Sequence, residues 1–121
     1  MVDLRGRLAR DQVRATYADA DVFLAPARLE AFGIAALEAR TAGLAVLAHA
    51  GTGVAEFVTD GLDGFLVADD AEMTEAVVLL AQDRDLLTAM RRHAAAVPPP
   101  FDWQDVLAAA DDQYVRAATL V

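Results

Sequence analysis

The 121-residue sequence contains no cysteine, no lysine and no serine. Without cysteine, disulfides and thiolate metal sites are excluded, and the two histidines, His49 and His93, are too few and too isolated to suggest a metal centre. Without serine, a Ser-His-Asp hydrolase triad cannot be assembled. All ten cations are arginine, against nineteen Asp and Glu, for a net charge of −9 and a pI near 4.4. That balance argues against a nucleic-acid or anionic membrane surface as the main partner, and most of the carboxylates read as a solvated face. No apolar run approaches the roughly 18 residues that span a bilayer. The opening Met-Val-Asp-Leu-Arg is not a signal peptide. The expectation is a soluble, cytoplasmic protein with no integral membrane segment.

What the sequence does contain is one well-marked crossover. An apolar run, Val22 to Leu24, leads into Pro26–Gly43, and a second, Leu44 to Leu47, leads out. This is the pattern of a loop and helix between two buried parallel strands. In such a sheet, ligands bind beyond the carboxyl ends of the strands, where an opening helix points its free amides outward. Two carboxylates bracket the segment, Glu30 in the loop and Glu38 eight residues later. With a helix beginning near Ala31 they are roughly 12 Å apart along its axis. That is too far to share a proton but suited to holding two parts of one long ligand. Gly33 lies between them, and its missing side chain lets a phosphate approach the backbone.

Pro26, the Glu30-x7-Glu38 pair, Phe32-Gly33-Ile34, Glu38-Ala39 and Gly43 followed by Val46 resemble the donor-binding signature of glycosyltransferase family 4, retaining enzymes of the GT-B fold. The resemblance continues through Gly51-x-Gly53-x-x-Glu56, Asp60-Gly61-x-x-Gly64-Phe65-Leu66-Val67, Phe101-x-Trp103 and Tyr114. Departures from the family pattern are Ala27 in place of serine, Ala31 in place of glycine and Ala45 in place of proline. The resemblance implies an α/β fold with a Rossmann-like parallel sheet: a partial GT-B C-terminal domain with a helical C-terminal segment. It implies that residues 1–121 form a single partial donor-binding domain, with 98–121 a linker and helix. A nucleotide diphosphate sugar is then the donor, and the acceptor domain and the family's diphosphate-clamping Arg and Lys lie outside this sequence. By the same resemblance, Glu30 is the candidate catalytic residue, hydrogen-bonding a sugar hydroxyl. The amides around Phe32, Gly33 and Ile34 meet the diphosphate and sugar, Glu38 takes the ribose hydroxyls, and Arg28 and Thr52 border the donor. No metal and no cofactor are required.

Along the chain, Val2–Leu4 reads as a short strand, Arg10–Tyr17 as a helix, Val22–Ala25 as a strand, Ala31–Ala42 as the crossover helix and Gly43 as its C-cap. Leu44–Ala48 reads as a buried strand, Val54–Val58 as a helical turn and Phe65–Ala68 as a further strand. Asp69 with Glu72 three residues on resembles a capping box, opening a helix with Val77, Leu80 and Ala81 on its apolar stripe. A helix over Arg84–Ala96 is stopped by Pro98-Pro99-Pro100, and Asp102 caps a last one.

Each site residue has a plainer reading. Glu30 is favoured near a helix start by the dipole alone, and Glu38 is a good helix former. Arg28 is equally an exposed loop arginine. His49 reads as loop packing, His93 as surface, and the loop glycines as backbone geometry. Two further function classes therefore stand beside the hexosyltransferase reading, in which the isolated chain is inactive. One is a binding or assembly module: two family strands have no counterpart between Val2–Leu4 and Val22–Ala25, leaving the latter an open edge suited to a homodimer or domain swap. The other is a Rossmann-like domain of unrelated function, although no Gly-x-Gly-x-x-Gly follows the first strand.

Overall fold

The structure, a computed structural model, describes residues 2–99 together with 108, 111–112 and 115–117. The elements run α1 (Arg10–Asp19), β1 (Val22–Ala25), α2 (Ile34–Thr41), β2 (Ala45–His49), a 3₁₀ turn (Gly53–Glu56), β3 (Gly64–Val67), α3 (Asp70–Gln82) and α4 (Arg84–Ala96). The strands form one parallel sheet in the order β1-β2-β3.

Every residue of β2 is buried, because helices cover both faces of the middle strand. Val46 and Ala48 join Ala36, Leu37, Val54, Phe57 and Val58 on the face that α2 covers. Ala45 and Leu47, pointing the other way, join Val67 and the residues Met73, Ala76, Leu80, Leu87 and Met90 of α3 and α4. The period-two alternation of a single strand thus divides the core into two apolar layers.

Helix ends follow from their sequences. After α2, Gly43 takes φ +89°, its amide donates to Arg40 O at 3.1 Å, and Leu44 N donates to Ala39 O at 3.1 Å. This is the paired closure of a Schellman motif. At the start of α3, Asp69 Oδ1 accepts from Glu72 N at 2.9 Å, while Glu72 Oε2 accepts from Ala68 N at 2.7 Å. The reciprocal bond therefore reaches one residue further back than in a strict capping box.

Several expectations are corrected. Val2–Leu4 is not a strand: among the described residues no neighbouring strand accepts its ladder, and Val2 and Leu4 stand 82% and 90% exposed. The crossover helix opens at Ile34, not Ala31, because Gly33 sits at φ +80° and Glu30 folds back onto its amide. On α3 the buried stripe is Met73, Ala76 and Leu80, with Val77 39% exposed. The helix expected after Asp102, with Phe101, Trp103 and Tyr114, lies outside the described residues.

The amino-terminal rim of the sheet is knitted by arginines. Arg91 of α4 donates to Gly43 O at 3.3 Å and pairs with Asp21 at 2.7 Å. Arg40 is buried, donating to Ala94 O at 2.7 Å and Val97 O at 2.8 Å, and its Nη2 stands 3.3 Å from Asp63 Oδ2. His93 is half-buried rather than a surface residue, with Nδ1 3.4 Å from the same Asp63 oxygen. The remaining Asp63 oxygen accepts from Thr59 N at 2.7 Å.

Candidate functional site

Because the strands are parallel, their carboxyl ends share the opposite rim, and the loops after β1 and β2 and the start of α3 gather there. A cavity of about 540 Å³ opens between the first two loops and the start of α2. It is lined by Pro26 and Ala27 of the first loop, by Glu30, Phe32, Gly33 and Ile34, by Glu38 on α2 and by Thr52 of the second loop. Six of the seven residues singled out in the sequence therefore border one space. The seventh, Arg28, does not line it, and turns instead to Asp70, with Nη2 3.0 Å from Oδ2.

Gly33 sets the shape of the mouth. A Cβ there would lie 2.7 Å from Val54 Cγ2, and its positive φ is strained for any L side chain. Its amide donates to Glu30 Oε1 at 3.1 Å, and its carbonyl accepts from Leu37 N at 2.9 Å, opening the helix. Gly53 N donates to Glu30 O at 2.9 Å, so the two rim loops touch backbone to backbone. A Cβ on Gly53 would fall 2.0 Å from Ala31 O, which explains the glycine by close approach rather than by flexibility.

The other lining residues divide between packing and polarity. Phe32 lies against Phe57, ring centres 6.0 Å apart, and so anchors the loop to the core. Thr52 is buried and donates its hydroxyl to His49 O at 2.9 Å, which leaves it only acceptor capacity toward the cavity. Glu38 is half-buried and forms the seam with a second cavity of about 420 Å³ between α1 and α2, lined also by Arg10, Arg14, Tyr17 and Thr41. Burial pushes the Glu38 carboxyl above its ordinary value, and the charges of Arg10 and Arg14 only partly offset this.

His49, at the end of β2, is buried, and its Nε2 stands 3.1 Å from Asp70 Oδ1. Asp70 is exposed by contrast. Its hydrogen bond to Arg28 and that arginine's charge, with smaller help from His49, hold its carboxyl below the usual range. Sequence reading did not find Asp70, because its partners, Arg28 of the first rim loop and His49 at the end of β2, are distant in sequence. Among the described residues, no group of three His, Asp or Glu side chains is arranged to hold a metal ion, and no helix is long and apolar enough to cross a membrane.

The model of the family described as glycosyl transferases group 1 matches residues 1–97. The D-inositol 3-phosphate glycosyltransferase of Geodermatophilus obscurus is 38% identical over 105 residues, covering 84% of this chain and 22% of that protein. The enzyme of the same name from Streptomyces avermitilis is 34% identical over 119 residues, covering 97% of this chain and 26% of its own. The chain thus spans about a quarter of the length of these curated relatives. Among solved structures, the C-terminal domain of a glycosyl transferase group 1 family protein from Francisella tularensis superposes with a TM-score of 0.67 at 22% identity, over 75% of this chain and 48% of that one. Sucrose-phosphate synthase from Thermosynechococcus elongatus also reaches 0.67, at 24% identity, over 96% of this chain and 30% of that one. At these identities the structural matches speak to the fold.

Proposed function

The chain belongs to the group 1 glycosyltransferases, and from that premise we propose that it is the donor-binding region of a retaining, family 4-type enzyme. In this reading it holds a nucleotide diphosphate sugar for transfer to an acceptor bound by a separate N-terminal domain. The observation that carries the proposal is the convergence of Glu30 and Glu38 on one cavity, with the positive-φ Gly33 between them at a helix start. Ionised carboxylates suit hydroxyl donors: Glu38 takes the two ribose hydroxyls, and Glu30 takes a hydroxyl of the sugar. The diphosphate lies against the Phe32–Ile34 turn, whose Gly33 amide is shared with the Glu30 carboxylate, and there the α2 dipole favours the charge that develops as the sugar–phosphate bond breaks.

Calorimetric titration with UDP, GDP and ADP tests this reading. One of the three is expected to bind the wild type and to lose most of its affinity in Glu38→Ala. A folded wild type that binds none of them would remove the proposal. Sugar transfer itself is expected to need the acceptor domain, so turnover by these 121 residues alone would contradict that division of labour.

A second reading is supported by the edge strand β1, whose outer side has no partner strand among the described residues and whose Leu24 is 49% exposed. In this reading the chain is an assembly module that dimerises along β1. Light scattering during size-exclusion chromatography separates the two, since a dispersed monomer counts against assembly while leaving nucleotide binding intact.

A further inference from the structure

A cavity lined by two carboxylates and, among the described residues, no cation is a poor place for a diphosphate unless positive charge is brought to it. Arg28 belongs to the same loop as Pro26, Ala27 and Glu30, which do line the cavity, yet its guanidinium is held outside by Asp70. Asp70 gives one oxygen to Arg28 at 3.0 Å and places the other 3.1 Å from His49.

We propose that Asp70 is a positioning residue for Arg28: it parks the guanidinium at the rim of the empty cavity and yields it to the diphosphate of the bound donor. The inference rests on the nucleotide-binding reading above and adds to it the residue that controls a cation carried by the chain's own rim loop. Two features make the release inexpensive. The Arg28 and Asp70 side chains are 68% and 67% exposed, and an ion pair in water contributes little. Asp70 is also the first residue of α3 and keeps His49 beside it, so its charge is stabilised after Arg28 departs. The planar guanidinium then offers the diphosphate two parallel N–H donors.

Calorimetry on Asp70→Asn, Arg28→Ala and the double variant provides the test, with a nucleoside diphosphate and the corresponding nucleoside as ligands. Asp70→Asn leaves the cap of α3 intact, since that cap uses Asp69 and Glu72. It is expected to bind the diphosphate about two- to five-fold more tightly, the size of one exposed ion pair, with nucleoside affinity unchanged. The gain should vanish in the Arg28→Ala background, and Asp70→Glu should restore wild-type affinity. An unchanged or weaker diphosphate affinity in Asp70→Asn, or a gain that persists without Arg28, overturns the inference while the donor site stands. A wild type that binds no nucleoside diphosphate overturns both.

Discussion

Glu30 holds both sides of the cavity mouth, its carboxylate accepting from Gly33 N at 3.1 Å and its carbonyl from Gly53 N at 2.9 Å. Its backbone therefore has a purely structural task, while its side chain both holds the Gly33 amide and faces the cavity, and substitution leaves the backbone bond in place. Glu30→Ala removes the exposed carboxylate and its one hydrogen bond from Gly33 N while keeping the backbone bond to Gly53, so stability should fall by about 1 kcal/mol. Affinity for a nucleotide sugar should fall about ten- to a hundred-fold, as for a lost hydrogen bond to a charged group, with affinity for the nucleoside diphosphate little changed. Equal losses for both ligands would place Glu30 away from the sugar.

Gly33→Ala should destabilise the fold by about 1–3 kcal/mol, since the added methyl meets Val54 Cγ2 at 2.7 Å in a backbone conformation that resists side chains. Urea denaturation measures this directly. A neutral result would mean that the Phe32–Ile34 turn relaxes without cost.

Glu38→Gln should stabilise the protein at neutral pH while abolishing ribose recognition. Burial raises the folded-state pKa above the ordinary 4.5, so the unfolded chain releases this proton first. Stability from this group is therefore fully present below the unfolded value and is lost as pH rises through the folded one. The advantage of the glutamine variant is expected to appear across that window and to disappear in more acidic solution. Melting curves of both proteins against pH decide it, and an advantage independent of pH would assign the effect to packing.

Arg40→Met should cost about 3–5 kcal/mol, because it leaves the Asp63 carboxylate buried without its guanidinium. The double variant Arg40→Met/Asp63→Leu should lose less than the two single changes together, and chemical denaturation gives that coupling energy. Strict additivity would mean that the pair does not act as a unit.

Much of this was legible along the chain because the signals were local. The apolar run at Leu44–Ala48 marked the central strand, and Asp69 with Glu72 marked the start of α3. The spacing of Glu30, Gly33 and Glu38 marked the residues that border the cavity. What escaped reading depends mostly on contacts between distant positions, the local start of α2 excepted. The opening of α2 moved to Ile34 because Gly33 turns left-handed under the Glu30 carboxylate, a preference that no helix propensity encodes. Arg40, Asp63 and His93 each look like surface residues in their own segments, and only the packing of α2 against α4 brings them together, with Arg40 and Asp63 buried and His93 half-buried. Val2–Leu4 shows the converse, since a β-like run stays irregular where no strand among the described residues completes its hydrogen bonds.

The buried guanidinium of Arg40 also fixes how α2 can respond to an occupant. The tail of α2 is tied to the carbonyl of Ala94 near the end of α4 and to that of Val97 just beyond it, whereas its head follows a glycine at the cavity. A short rod fastened this way pivots instead of sliding. Ligand-driven displacement is therefore expected to be greatest at Phe32–Ile34 and to die away toward Thr41, a gradient that amide chemical-shift changes would trace.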